Sequence, residues 1–205
     1  MKKFLVALAL STAVVVAVPA SAQVAYTNGP ILGTSEGRTI NFGYAVTDSF
    51  TLSQTTTITG FDFGGWTPAG DVGTSVDYGF SGTADFAITG TAALTAGAVI
   101  PGDGLGSFDV RSYSASIAPI TLAAGTYWFS LQNAVTTGGN PFYWDVNHGP
   151  SSAFQTSIGE IDSESFTLHS NGAVPEPASW ALILGGFGLI GGAMRSRRKA
   201  VVSFG

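Results

Sequence analysis

The chain has 205 residues, 28 of them glycine and none cysteine, with 10% charged side chains and a formal net charge of −5. Thirteen acids against eight lysines and arginines disfavour a nucleic-acid partner, because neutralising phosphates takes basic side chains clustered on one face. Without cysteine there are no disulfide staples, thiolate zinc sites, iron–sulfur clusters or cysteine nucleophiles, so a fold must rest on burial alone.

In chain order, residues 1–22 read as an export signal. Lys2 and Lys3 form a positive start, residues 4–18 an uncharged apolar run, and Ala20-Ser21-Ala22 the small-x-small pattern of a signal peptidase site. Cleavage after Ala22 leaves Gln23 as the new N-terminus.

Residues 23–172 form a body large enough for one core. Segments rich in Thr, Val, Ile, Phe and Tyr alternate there with Gly, Asp, Asn and Pro clusters, the pattern of short antiparallel strands. Strands are expected at 40–46, 50–63, 75–80, 84–89, 107–117, 126–132, 142–146 and 165–168. In 126–132 the alternation places Tyr127, Phe129 and Leu131 on one face and Trp128, Ser130 and Gln132 on the other. So many strands predict an all-β antiparallel sandwich of jelly-roll type.

Chemistry in the body is sparse. Its histidines are His148 and His169, and the run from Trp144 to Ser152 holds an acid, a histidine and serines. A Ser-His-Asp triad is set by geometry across separate loops, however, and no nucleophile elbow is present. Asp145 and Asn147 therefore read as turn residues and His148 as a solvated side chain. Asp62, Asp77, Asp85, Asp109, Asp145 and Glu160 could supply a glycosidase pair, but nothing singles one out. No catalytic residue or cofactor is assigned; loop calcium near Asp71 and Gly102-Asp103-Gly104 is the milder possibility. The better lead is aromatic, since an exposed ring can stack on a sugar face. Trp66, Trp128, Tyr143 and Trp144 are the candidates, Trp66 first because Gly64-Gly65 and Pro68 flank it as a loop would. The body has no regular Thr-x-Thr ladder of the kind a flat ice-binding face needs.

Beyond residue 172 the membrane theme returns with reversed charge order. Pro175-Glu176-Pro177 precedes an apolar run over 180–194, followed at once by Arg195, Arg197, Arg198 and Lys199. As a helix the run is roughly 22 Å long against a hydrocarbon core of about 30 Å. Interfacial Trp180 and snorkelling arginines help such a short segment to span, with the basic cluster in the cytoplasm.

Pro-Glu-Pro, two spacer residues, Trp180-Ala181, a glycine-punctuated apolar run and terminal arginines resemble the PEP-CTERM sorting signal. The resemblance covers residues 173–199 and leaves 200–205 as a short cytoplasmic extension. It implies processing by exosortase, a membrane-embedded cysteine transpeptidase of Gram-negative bacteria that make exopolysaccharide, after a transient stay in the inner membrane. The sorting residues it implies are Pro175, Glu176, Pro177, Trp180, Ala181, Arg195, Arg197 and Arg198. This tail is also labelled, in some classifications, the C-terminal domain of ice-binding proteins, a label that says nothing about the body.

The expected product is an exported, non-enzymatic cell-surface or matrix protein, structural or adhesive. The alternatives are a carbohydrate-binding module acting on exopolysaccharide and, more weakly, a secreted hydrolase. With the end segments removed, the body keeps Arg38 and Arg111 against twelve acids, a net of −10.

Overall fold

The computed structural model describes residues 22–33, 36–100, 107–171 and 187. The export signal up to Ser21, Gly102-Asp103-Gly104, the sorting residues and the 200–205 extension lie outside the described residues.

The body is all-β. Among the described residues thirteen strands follow one another: β1 (Ala22–Thr27), β2 (Gly37–Thr39), β3 (Ala45–Leu52), β4 (Thr56–Pro68), β5 (Gly73–Ser81), β6 (Gly90–Ala93), β7 (Thr95–Val99), β8 (Phe108–Leu122), β9 (Gly125–Thr136), β10 (Tyr143–Asp145), β11 (Ala153–Gln155), β12 (Gly159–Ile161) and β13 (Phe166–Asn171). They form two antiparallel sheets of seven and six strands. In the first, β4 pairs along its length with β8, which pairs in turn with β7. The other edge of β4 is shared: β13 and then β1 take its first part, β10 and then β2 its end. The second sheet runs β12-β11-β3-β9-β5-β6.

Period-two alternation builds the core between the sheets. In β9, Phe129 and Leu131 are fully buried and Tyr127 packs against the same cluster, while Trp128 lies against Phe154. Phe129 is the hub: its ring is 5.0 Å from Phe61, 5.3 Å from Phe80 and Phe166, and 5.6 Å from Trp144. Each such ring adds about 1.5–3 kcal/mol on burial, which is how a disulfide-free sandwich holds together.

Turns interrupt or replace several of the expected strands. The 40–46 segment is broken by a turn in which Tyr44 N–H donates to Asn41 C=O at 3.0 Å and Phe42 and Gly43 have φ of +54° and +85°. The 50–63 segment divides at residues 53–55 into the end of β3 and the start of β4. Residues 84–89 are not a strand at all. They fold over the face of β5, with the Ala87 carbonyl in the space where a side chain at Gly79 would stand. Thr89 N–H donates to Tyr78 C=O at 2.7 Å and Gln132 Nε2 to Phe86 C=O at 2.7 Å, which holds this loop down.

Candidate functional site

The four aromatics expected to touch sugar are not gathered on one surface. Trp66, expected on an exposed loop, is 3% exposed and sits within β4. Its Nε1–H donates to Asp145 Oδ1 at 2.7 Å. The neighbouring glycines reflect crowding, not a loop: a Cβ at Gly65 would meet the Phe142 and Tyr113 rings at 2.5 and 2.8 Å. Trp144 is fully buried in the core and donates to Ser165 C=O. Both are thereby excluded as stacking platforms. Trp128 and Tyr143 are half-buried and belong to different sheets, Trp128 against Phe154 and Tyr143 edge-on to Phe108.

The acids and histidines also find structural partners. Asp145, expected in a turn, ends β10 fully buried and accepts the Leu32 and Gly33 N–H groups as well as Trp66. Burial pushes its carboxyl up despite those bonds. His148 is exposed, with φ +53°, and lies 3.4 Å from exposed Asp162. Asp71 organises the turn after β9: it accepts from Thr137 Oγ1, Gly138 N–H and Asn140 Nδ2 and also from Val72 N–H. Burial opposes ionisation there, but the bonds from Thr137, Gly138, Asn140 and Thr136 outweigh it and hold the carboxyl below its usual range. With its oxygens so engaged, Asp71 is poorly placed as a loop calcium ligand.

Two of the surface hollows among the described residues bear on function. On the outer face of the first sheet, a shallow polar trough of about 390 Å³ is lined by Thr59, Asp62, Ser114, Ser116 and His169. His169 Nε2 is 2.8 Å from Asp62 Oδ2. Among the described residues no serine hydroxyl is hydrogen-bonded to either histidine, so an acid and a histidine meet here without the nucleophile that a triad requires.

The second feature is a cleft of about 400 Å³ between the 41–43 turn and the end of β9, lined by Phe42, Asn133, Val135 and Asn140. Phe42 is 64% exposed, Tyr44 41% and Val135 51%. Phe42 and Asn133 both hold left-handed backbone, φ +54° and +49°, a conformation that costs non-glycine residues energy and concentrates at functional positions. Exposed rings beside carboxamides form the kind of surface that stacks on a sugar and bonds its hydroxyls. Alternation in 40–46 hid this site, because it reads Phe42 and Tyr44 as strand residues; the Asn41-Phe42-Gly43 triplet was the available turn signal.

Inside the sandwich lies a knot of polar groups that the sequence reading did not single out. Asn28, Asp48, Ser163 and Glu164 are all at most 2% exposed. Asp48 points inward from β3 between Val46 and Phe50, and burial pushes its carboxyl up to about 7 even though Oδ2 accepts the Glu164 N–H at 2.7 Å. Burial, then the nearby Asp48 charge, raises the Glu164 carboxyl well above its ordinary value.

An all-β sandwich of two antiparallel sheets is the class of protein these features define. Residues 173–199 match the PEP-CTERM protein-sorting motif, so the chain carries the signal of an exosortase-sorted extracellular protein. No curated protein matches the chain.

Proposed function

We propose that the chain is a cell-surface or matrix protein of a Gram-negative bacterium, delivered through export, membrane arrest and exosortase processing, with a non-enzymatic body. The observation that carries the sorting half is the motif at residues 173–199. Its parts fit the task. Two prolines fix φ and favour the extended, unpaired backbone that a protease cleft takes up. Glu176 supplies one charge to read, and Arg195, Arg197 and Arg198 stop translocation. The non-enzymatic reading of the body is supported by the way its acids and histidines are used: Asp145 and Asp71 brace loops, and the Asp62–His169 pair lies in an open trough.

Intact-mass measurement of the released protein tests the sorting half. The expected terminus lies near residues 175–177, and a product retaining Arg195 to Gly205 would overturn the proposal. Glu176→Ala should trap the protein in the inner membrane; unchanged release would reduce the tripeptide to a linker.

The exposed, left-handed Phe42 favours a second reading in which the body binds polysaccharide. With a body charge of −10 the ligand would be a neutral glycan, since an acidic one is repelled. Pull-down of the processed protein on neutral glycans should weaken at least about tenfold in Phe42→Ala, the loss of one stacked ring. Binding that survives in Phe42→Ala and Tyr44→Ala refutes it.

A further inference from the structure

Four oxygen atoms surround the Asn28 side-chain amide nitrogen: Asp48 Oδ2 at 3.0 Å, Ser151 Oγ at 2.7 Å, Ser163 Oγ at 2.8 Å and the Glu164 carbonyl at 2.8 Å. An amide nitrogen has two protons, so two of these four oxygens exceed what it can satisfy. The hydroxyls bond each other at 2.8 Å, and Asp48 Oδ2 also accepts the Glu164 N–H at 2.7 Å.

Around this knot the carboxylates are under-satisfied. Asp48 Oδ1 and both carboxylate oxygens of Glu164 are buried without a hydrogen-bond partner. Arg38 is the cation whose charge bears on Glu164, yet its ion pair is with Glu36, at 2.8 Å. Buried polar atoms left unpaired are destabilising, and more so when charged. Protonation does not remove the difficulty, because a Glu164 hydroxyl would still lack an acceptor and the other two oxygens would still lack donors.

We propose that this knot is a calcium-type divalent cation site, held by the Asp48 and Glu164 carboxylates, the Ser151 and Ser163 hydroxyls, the Glu164 carbonyl and the Asn28 side-chain oxygen, the Asn28 amide turning over so that Oδ1 replaces Nδ2 among these oxygens and Nδ2 faces the Tyr26 hydroxyl. The donors are all hard oxygens, two of them anionic, and the pair of charges balances one divalent ion. Among the described residues no three His, Cys, Asp or Glu side chains are grouped to hold a metal. The site therefore draws on neutral oxygens for most of its ligands, as calcium does and zinc does not. Ser151 is partly exposed and gives solvent access. The acidic body adds a field that attracts cations. The ion would join the end of β1, the middle of β3, the segment before β11 and the segment before β13.

Full-length protein, exported and purified without chelator, should contain about one calcium per chain by elemental analysis. Chelation should lower its melting temperature and added calcium restore it, by roughly 5 to 10 °C at a hundredfold excess over Kd. Glu164→Gln and Asp48→Asn should each abolish the calcium response; Glu164→Gln, which puts an uncharged amide where burial already disfavours a carboxylate, should leave the chelated protein at least as stable as the parent. Parent protein with no retained calcium and the same melting temperature in chelator and calcium would overturn the site. That comparison stands even if both variants fail to fold.

Discussion

Replacing Gly79 with alanine probes the segment that the sequence presents as a strand and the fold uses as a cover. A Cβ there would overlap the Ala87 carbonyl oxygen, lie 2.5 Å from its carbon and reach Ile88 N at 3.2 Å. Carbon atoms pack at about 3.5–4.0 Å, so residues 86–89 must retreat by about 1 Å or more, or β5 must bend away. Retreat breaks or stretches three hydrogen bonds: Thr89 N–H to Tyr78 C=O at 2.7 Å, Gln132 Nε2 to Phe86 C=O at 2.7 Å and Phe80 N–H to Thr89 Oγ1 at 3.1 Å. At about 1 kcal/mol each, the loss is roughly 2–3 kcal/mol. In a domain of this size that lowers the melting temperature by about 4 to 12 °C. Thermal unfolding followed by circular dichroism measures it. Gly82→Ala, with nothing within 4 Å of its Cβ, is the control and should differ from the parent by about 1 °C or less. If Gly79→Ala melts with the control, the loop does not lie on β5 and the account of residues 84–89 is wrong.

Two further changes test the buried polar bonds. Trp66→Phe keeps a ring but removes the 2.7 Å bond to Asp145, and chemical denaturation should register a loss of roughly 2 kcal/mol; an unchanged midpoint would mean that the bond adds nothing. Asp71 has a lowered carboxyl pKa, so its contribution is present above the unfolded value near 3.8 and fades as pH falls toward the folded one. Between pH 5 and 2.5 the parent should therefore lose melting temperature faster than Asp71→Asn, and parallel slopes would show that the turn after β9 does not depend on the charge.

How much of this was legible beforehand depended on the range of the contacts. Tyr127, Phe129 and Leu131 could be assigned to one face because strand alternation is a local property, and the all-β class followed from many such segments. Trp66 was misplaced because the crowding that demands glycine at positions 64 and 65 comes from Phe142, Tyr113, Asp145 and Ser165, which are distant in sequence. The loop at 84–89 was misread for a similar reason: its partner is an absent side chain at Gly79. Asp48 did carry a local signal, since it occupies an inward position between Val46 and Phe50, where an acid demands explanation. Glu164 carried none, because its burial depends on Asn28 and Asp48 arriving from elsewhere in the chain.

The register between β1 and β13 has a consequence for how the molecule is presented. Ala22 lies opposite Asn171, so the chain enters and leaves the sandwich through adjacent positions on neighbouring strands. Leu52 pairs with Gly125 near that same end, while Ala45 pairs with Gln132 toward the other, where the Phe42 cleft lies. A twelve-residue strand such as β9 is about 40 Å long. On the proposed sorting route, a cut beyond Asn171 would free the body without disturbing a strand, and the Phe42 cleft lies at the end of the sandwich opposite the corner where Ala22 and Asn171 meet.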